Sequence, residues 1–481
     1  MRARLFAPEN KKWWTLAAVA FGLFMIMLDN TVVNVALPTI QRSLHMSISE
    51  LEWIVTAYAL TFAAFMLTGG KLADLIGRRR IFVIGLVIFT ASSFVCGIAP
   101  TSGWLIGARA VQGIGAAMMN PATLSIITAT FPPRQRGLAI GIWAGVSAMA
   151  LAIGPLVGGL LTEHINWNWV FYINVPIGAL GIVASYLFVT ESKDTSHEQR
   201  LDLPGLLTSG AGLFALTYGL IESNNYGWTS GRILASFAVG IVLLTAFVLL
   251  ELHQRLPMLE LSLFRNSTFT GANVATLLVG LAMFGVFFYV SLFMQQVLGY
   301  SPVQAGATFL PMTVLVILVA PQAGRVSDRV GSRWLVGIGM TLVSGSLLWY
   351  SRLEPGMRFW DILPGLLMGG FGMAMTMTPT TAAAMGSVAV DKAGVGSAVL
   401  NSMRQVGGSL GIAIMGAVVA HVMAGQLATG HTRPDAFTSG FHDGLRLAAG
   451  IAFLGAIVGV AMLRNVRHGD APERSPAVES V

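Results

Sequence analysis

Charged residues are scarce in this sequence. Only 11% of its 481 residues are Asp, Glu, Lys or Arg and 54% are hydrophobic, which excludes an ordinary soluble globular protein. Cysteine is nearly absent too: Cys96 is the single one, so neither a disulfide within the chain nor a cysteine metal site can form. The net charge of +7 would suit nucleic acid, but the basic residues lie in short connections, so we expect no nucleic-acid partner.

The sequence also lacks the motifs of several enzyme classes. It has no Gly-x-x-x-x-Gly-Lys-Ser/Thr loop, so we expect no ATP site. Three histidines, His421, His431 and His442, lack the spacing of metal ligands. No cluster of histidines and carboxylates marks an active site near a membrane face. We therefore expect no enzyme, no cofactor and no metal.

Long hydrophobic runs dominate the chain instead. About 20 residues of helix cross a hydrocarbon core of ~30 Å, and runs of this length predict fourteen transmembrane helices in groups of six, two and six. This is an all-α polytopic membrane protein. The predicted segments are an N-terminus (1–12), a six-helix bundle (13–190), two linker helices with flanking loops (191–267), a second six-helix bundle (268–464) and a disordered tail (465–481).

The distribution of basic residues tests this span count, because Lys and Arg are enriched in cytoplasmic loops. Placing both termini in the cytoplasm puts most of the 29 basic residues on the cytoplasmic side. The external side then holds Arg42, Arg232, Arg352, Arg358 and Arg433. We therefore predict a multi-pass protein of the cell (inner) membrane, with both termini cytoplasmic.

A short charged phrase occurs twice between predicted spans, which indicates two related halves. Its key positions are Gly70, Asp74, Gly77, Arg78 and Arg79 in the first copy, and Gly324, Asp328, Gly331 and Arg333 in the second. The first glycine of each copy permits close approach of helices, the aspartate can accept from N–H groups at a helix N-terminus, and the arginines can pair with it. Each loop either latches one closed conformation, the first copy more strongly, or merely fixes the topology.

The repeated loop resembles the signature loop between the second and third helices of the major facilitator superfamily. Further phrases narrow the resemblance: LDNTVVNVALP from Leu28, RAVQGIGA from Arg109, GPLVGG from Gly154, WVFYINVPIG from Trp169 and QQVLGYS from Gln295. With the predicted span count, they resemble the fourteen-span drug:proton antiporter family of the EmrB/QacA type. This implies two six-helix halves plus two additional central helices, with a proton gradient as the energy source.

Asp29 and Arg109 are two of the charged residues that are predicted to lie within spans. Asp29 is the only carboxylate well inside a predicted span, and it should face the bundle interior because a charge in lipid is costly. It could bind and release protons there. The resemblance implies that Asp29 takes part in proton coupling or substrate recognition, and the alternative is a packing role.

Arg109 lies in the fourth predicted span. The resemblance implies a part in proton translocation, and structural pairing is the alternative. The sequence does not indicate whether the two residues touch.

Small residues recur in the fifth predicted span, which includes Gly141, Gly145 and the phrase Gly154, Pro155, Gly158 and Gly159. Their helical spacing permits close packing and bending. The resemblance associates this phrase with exporters rather than importers. Gly-rich helices are also ordinary packing devices in membranes.

Three further residues are candidates for substrate contact. Arg404 lies in the thirteenth predicted span and could contact substrate or reach toward the cytoplasmic edge. Met375 and Met377, in the twelfth, offer soft apolar surface, although methionine more often faces core or lipid. No Asp or Glu falls inside the predicted spans after residue 268, which argues against dicationic substrates.

The leading hypothesis is a proton-coupled secondary transporter that exports small amphipathic compounds by alternating access. Its partners would be a small-molecule substrate, protons and the lipid bilayer. The alternative is uptake of a metabolite by proton symport. A membrane enzyme or a non-transporting sensor would need a catalytic cluster or a receiver-like module, which the sequence does not show. A monomer is compatible with the sequence, which leaves the oligomeric state open.

Overall fold

The computed structural model describes residues 8–193, 201–255, 257–388 and 392–464. Within these ranges the chain is helical and has no β-strand. The predicted N-terminal segment 1–12 lies only partly within them, and the predicted disordered tail 465–481 lies outside the described residues, as does the side chain of Asp328.

The helices divide into two halves joined by a linker pair. The N-terminal half contains α1 (Pro8–Leu44), α2 (Ile48–Ile76), α3 (Arg78–Gly97), α4 (Ser102–Thr130), α5 (Pro133–His164), α6 (Trp169–Tyr172) and α7 (Asn174–Phe188). The linker pair is α8 (Leu203–Tyr226) and α9 (Gly231–His253), followed by a 3-10 turn at Leu261–Arg265. The C-terminal half contains α10 (Ser267–Gln296), α11 (Pro302–Thr308), α12 (Leu310–Val330), α13 (Ser332–Tyr350), α14 (Phe359–Gly386), α15 (Ala393–Ala428) and α16 (Arg433–Met462).

The span count agrees with the prediction of an all-α multi-pass membrane protein. In the described ranges, 13 helical segments are long and apolar enough to cross a membrane, and α6 with α7 forms one of them. The place of the remaining predicted span is taken by α13, which is 19 residues long. Because the spans alternate in direction, α1 begins and α16 ends at the same membrane face. We call this face the terminal side and the opposite face the far side.

The start of α2 differs from the predicted span, which began at Trp53. The helix begins at Ile48 because Ser47 and Glu50 form a reciprocal cap. The Ser47 hydroxyl accepts from the Glu50 N–H at 3.2 Å, and the Glu50 carboxylate accepts from the Ser47 N–H at 2.8 Å. This cap places Glu52 inside the helix.

Equivalent helices pack in the same way in the two halves, as the duplicated loop predicts. In the N-terminal half α1 packs on α5 and α7, and α4 packs on α2 and α3. Their counterparts repeat the pattern: α10 packs on α15 and α16, and α14 packs on α12 and α13. The halves meet through the related pairs α2–α15 and α5–α11/α12, and through α1–α10.

The linker pair lies beside the junction of the two halves. α8 packs against both α2 and α15, and α9 packs on α8 with most of its surface exposed. Asp202 caps α8, accepting from the Gly205 N–H at 2.8 Å and from the Gln254 amide at 2.9 Å. Burial opposes ionisation of this carboxyl, but these hydrogen bonds outweigh it and lower the pKa of Asp202.

Hydrogen bonds between the two halves are concentrated on the far side. They join Gln295 Nε2 to Val35 O (3.0 Å), Gln296 Nε2 to Gln41 Oε1 (2.7 Å), Ser291 Oγ to Asn34 O (3.2 Å) and Val303 N to Glu163 Oε2 (2.9 Å). These positions lie near the far ends of α1, α5 and α10 and at the start of α11. The far side is therefore closed.

Candidate functional site

Asp29 and Arg109, both predicted to lie within the membrane, are in direct contact. Asp29 of α1 and Arg109 of α4 are 0% and 1% exposed, and Arg109 Nη1 lies 2.5 Å from Asp29 Oδ2. Arg109 Nε also donates to the carbonyl of Ile54 on α2 at 3.1 Å. The guanidinium stacks 4.2 Å from the ring centroid of Tyr58, which adds a cation–π contact. The ion pair thus ties together three helices of the N-terminal half.

Neutral side chains complete the environment of the Asp29 carboxylate. Gln112 and Asn174 donate to Oδ1 at 3.0 and 3.1 Å, and Gln112 also accepts from Arg109 Nη1 at 2.7 Å. Both amides reach the Ser93 hydroxyl, at 3.3 and 3.0 Å. Asn174 lies on α7 and Ser93 on α3, so the network spans five helices.

This network is chemically suited to holding or releasing one proton. A buried carboxylate is stabilised here by a cation and two amide donors. Protonation of Asp29 would remove the charge that balances Arg109, and the guanidinium would then need other acceptors or water. Both charges lie in the N-terminal half, so a proton event there could alter its packing against the C-terminal half. The sequence identified both residues but not their contact.

Asp29 is not the only buried carboxylate of the membrane helices. Glu52 on α2 is 2% exposed, and Glu251 near the end of α9 is 3% exposed. One predicted span began at Trp53 and another ended at Leu250, so the sequence placed each of these carboxylates in the polar segment next to a span. Tertiary packing buries them. Glu251 accepts from the Leu259 N–H at 2.8 Å, and Glu52 accepts from the Tyr289 hydroxyl.

The central glycine of each repeated loop has a positive φ. Gly77 has φ +133° and Gly331 has φ +87°, a region that favours glycine, and each glycine separates two successive helices. In the first copy, Arg78 Nε and Asp74 Oδ1 lie 3.0 Å apart, which agrees with the expected pairing of arginine and aspartate. In the second copy, the guanidinium of Arg333 lies 5.3 Å from the ring centroid of Trp334.

Two details of the loop prediction are corrected. The carboxylate at the N-terminus of α3 is Glu191, not Asp74: its oxygens accept from the Arg79 N–H at 3.0 Å and the Arg80 N–H at 3.2 Å. Its side chain also pairs with both arginines, at 3.9 and 3.7 Å. Glu191 follows α7, so only the fold brings it to this loop.

The close approach of helices that was predicted at Gly70 occurs at the neighbouring Gly69, where α2 packs on α4. A Cβ on Gly70 would make ordinary contact with Pro121 at 3.5 Å, whereas a Cβ on Gly69 would overlap the carbonyl of Ala117 on α4. The space at Gly324 is tighter, because an added Cβ would lie 3.2 Å from the side chain of Thr378. Close packing at the first loop therefore depends on Gly69.

The small residues of α5 contact both halves. A Cβ on Gly154 would overlap Thr31 of α1, and one on Gly158 would lie 2.6 Å from the Val32 carbonyl. On the neighbouring face, a Cβ on Gly159 would lie 2.5 Å from the Pro302 carbonyl, and the Pro155 carbonyl contacts Gly306 of α11. The phrase lets α5 pack closely on α1 and across the junction on α11. Gly141 and Gly145 were expected to share this role, but a Cβ on either meets no atom within 4 Å.

We expect the substitution Gly158→Ala to destabilise the protein. The added methyl would meet the main chain of α1, which cannot yield as a flexible side chain can, and such overpacking costs about 1–3 kcal/mol. Gly145→Ala on the same helix is the matched control and should be neutral or slightly stabilising, because the space is open. Thermal unfolding in detergent measures both. Equal melting temperatures for the two variants would contradict this packing.

The three candidate substrate residues are not part of the Asp29 network. Arg404 lies on α15 and donates to Asn401, one turn away. Met375 and Met377 lie on α14 and are partly buried. All three belong to the C-terminal half, whereas the network belongs to the N-terminal half.

The comparison with protein families agrees with this architecture. The Major Facilitator Superfamily model matches residues 19–412. The chain belongs to the Major Facilitator Superfamily. The superfamily is one of transporters, so the predicted fold class and the predicted transporter class are confirmed.

Relatives within the superfamily are named for resistance and export. The chain is 36% identical to the puromycin resistance protein pur8 of Streptomyces alboniger, over 95% of this chain and 91% of that protein. It is 35% identical to the tetracenomycin C resistance and export protein of Streptomyces glaucescens, over 86% and 77%. It is 36% identical to the multidrug resistance protein Stp of Mycobacterium tuberculosis (strain ATCC 25618 / H37Rv), also over 86% and 77%.

Solved transporter structures share the fold at low identity. A bacterial homologue of the human lysosomal transporter Spinster has a TM-score of 0.65 and 19% identity, over 94% of this chain and 96% of that chain. A peptide transporter POT in complex with sulfate has a TM-score of 0.67 and 15% identity, over 93% and 94%. These structures support the arrangement of helices.

Proposed function

We propose that this transporter exports small amphipathic compounds, drug-like or antibiotic, in exchange for protons, as a member of the fourteen-span drug:proton antiporter family. The observation that carries the proposal is the buried Asp29–Arg109 ion pair, which we propose takes part in proton coupling, in a chain whose relatives are named for drug resistance and export. The proposed energy source is the proton gradient, with neither ATP nor a metal taking part.

The proposed orientation places the terminal side in the cytoplasm of a cell with an inner membrane. The excess of Lys and Arg in the loops of that side supports it. In this orientation the far side is external, and we propose that the described conformation, whose far side is held closed by hydrogen bonds, is inward-facing. A substrate would then enter from the cytoplasm or the inner leaflet.

Asp29 is proposed to couple proton movement to the change of access. While Asp29 is ionised, it holds Arg109 and, through it, the main chain of α2. Protonation would weaken this attachment and shift the population between inward-facing and outward-facing states, since a ligand shifts such an equilibrium by its differential affinity. The proton enters from the outside and leaves to the cytoplasm.

The repeated loops are proposed to latch the cytoplasmic side in the outward-facing state. Each copy turns between its two helices at a glycine with positive φ, Gly77 or Gly331. The first copy has an Asp74–Arg78 pair and the Glu191 cap, which support the expectation that it is the stronger latch. Opening and closing of the cytoplasmic side would then be controlled where α2 ends and α3 begins.

The proposed substrates are neutral or weakly charged amphipathic molecules. Every Asp and Glu of the C-terminal half whose side chain the structure describes is exposed, so that half offers no buried carboxylate to a dication. Arg404 could contact an acceptor group, and Met375 and Met377 could contact apolar surface. A monomer would suffice, because each chain carries both halves.

Everted membrane vesicles test the direction and energy source. With an acidic lumen, vesicles carrying the transporter should accumulate puromycin or the dye Hoechst 33342, and the ionophore nigericin should abolish the accumulation. Right-side-out vesicles with an inward proton gradient should not accumulate either probe. Accumulation only in right-side-out vesicles would instead show proton symport, the uptake alternative.

A further inference from the structure

Glu52 forms a contact between the two halves that the proposed coupling does not use. Its carboxylate lies on α2 and accepts a hydrogen bond from the Tyr289 hydroxyl of α10 at 2.7 Å. Glu52 and Tyr289 are 2% and 0% exposed. On α15, a Cβ at Gly416 would overlap Glu52 Oε1, so this glycine leaves the room that the carboxyl occupies. Three helices from both halves therefore enclose one acidic side chain.

The enclosure lacks a balancing cation. Among the described residues, none of the ion pairs includes Glu52. The nearby α8 presents another carboxylate, Glu222, which accepts from the Trp53 indole at 3.1 Å. On α4, the guanidinium of Arg109 is occupied by Asp29 and the Ile54 carbonyl, and the histidine of α15, His421, is exposed beyond Gly416.

An ionised carboxylate in such a place is costly, because burial removes its water and no cation replaces it. A protonated carboxyl carries no charge, so it fits the enclosure at a much smaller cost. Separation of α2 from α10 and α15 would expose Glu52 to water, where the ionised form is the stable one at neutral pH. Closure of this interface and proton binding at Glu52 must therefore favour one another.

We propose that Glu52 is a second proton-binding site, distinct from the Asp29 network, and that its protonation stabilises the closed far side. Tyr289 and Gly416 form the receiving surface on the C-terminal half. The proton enters from the far side while the interface is open and is trapped when it closes. Acidity on that side thereby favours the inward-facing state. This inference rests on the proposed alternating-access function and adds a pH-dependent gate to it.

Distance measurements between spin labels test the gate directly. Labels at Arg42→Cys on α1 and Ala424→Cys on α15 would report on the far side, since both positions are exposed near the far ends of their helices. The background is Cys96→Ala, because Cys96 is the only native cysteine. The protein is measured in lipid nanodiscs from pH 5 to pH 9, without substrate and without a gradient.

The ratio of closed to open far side should fall by more than ~10-fold as the pH rises, since one coupled proton changes it by at most ~10-fold per pH unit. Glu52→Gln, which mimics the protonated side chain, should shift the ratio toward the closed far side and should respond to pH less than the wild type does. Glu222→Gln is the matched control and should keep the wild-type response. A wild-type ratio that does not change with pH, or an equal response in Glu52→Gln, would overturn the proposal.

If Glu52→Gln does not insert stably, Tyr289→Phe gives an independent test, because it removes only the hydroxyl that donates to Glu52. The midpoint of its pH response should differ from that of the wild type, and an unchanged midpoint would overturn the proposal. These measurements use neither substrate nor gradient. They can therefore fail while drug accumulation in everted vesicles succeeds, and the reverse also holds.

Discussion

Replacing Asp29 by asparagine should abolish uphill, proton-driven accumulation of substrate, to below a few per cent of the wild-type rate, and should leave substrate exchange intact. Asparagine cannot bind and release a proton in the physiological range, so the proton gradient can no longer drive transport through this position. Its amide oxygen can still accept from Arg109, and Gln112 and Ile54 keep their contacts with the guanidinium. The fold and the change of access should therefore survive.

The two activities are separated in proteoliposomes. Uphill accumulation is measured with an imposed pH gradient, and exchange is measured with labelled substrate outside and unlabelled substrate inside at equal pH. Asp443→Asn is the matched control, because Asp443 is an exposed carboxylate paired only with Arg446 one turn away. It should keep both activities. Uphill accumulation by Asp29→Asn would remove Asp29 from the coupling mechanism.

The second large effect concerns stability. Arg109→Met or Asp29→Leu alone should lower the free energy of unfolding by about 3–5 kcal/mol, because each leaves one buried charge without its partner. The double variant should recover much of this loss, since it removes both charges and replaces them with apolar side chains of similar size. Unfolding in mixed micelles of a mild detergent and dodecyl sulfate gives the four free energies of the cycle.

The exposed pair Asp443–Arg446 provides the comparison for this cycle. Its side chains are 48% and 60% exposed, and such pairs contribute about 0.2–1 kcal/mol. A coupling energy between Asp29 and Arg109 no larger than that of the exposed pair would contradict the buried ion pair as the organising contact of the N-terminal half.

The architecture could be predicted from the sequence because its signals are local. Hydrophobic length gives the spans, and the duplicated loop gives the two halves, whose equivalent helices indeed pack alike. The glycines at the two loop turns also follow from local chemistry, because Gly77 and Gly331 have positive φ. The buried charges Asp29 and Arg109 could be named for the same reason, since each interrupts an apolar run.

Contacts between distant segments could not be predicted in this way. Asp29 meets Arg109 only because α1 and α4 pack together, and Glu191 reaches the N-terminus of α3 only after α7 has folded back. Glu52 stands at the edge of an apolar run and resembles a solvated flank. Its burial depends on Tyr289 of α10, which follows it by 237 residues, and on Gly416 of α15, which is more distant still.

Helical spacing likewise could not decide which glycines are packing positions. Gly145 and Gly158 lie on the same helix, yet a Cβ on the first would meet open space and one on the second would meet the main chain of α1. The deciding fact is the face that α5 turns to α1. Glycine has no side chain whose polarity could indicate which face of α5 is buried.

The most direct test of proton antiport is a measurement of proton movement driven by substrate alone. Proteoliposomes are loaded with puromycin, diluted into weakly buffered medium without puromycin at equal pH, and monitored with a pH-sensitive dye inside. The account predicts acidification of the lumen as substrate leaves, in the wild type and in Asp443→Asn but not in Asp29→Asn. Substrate efflux without proton movement, or with alkalinisation of the lumen, would contradict it.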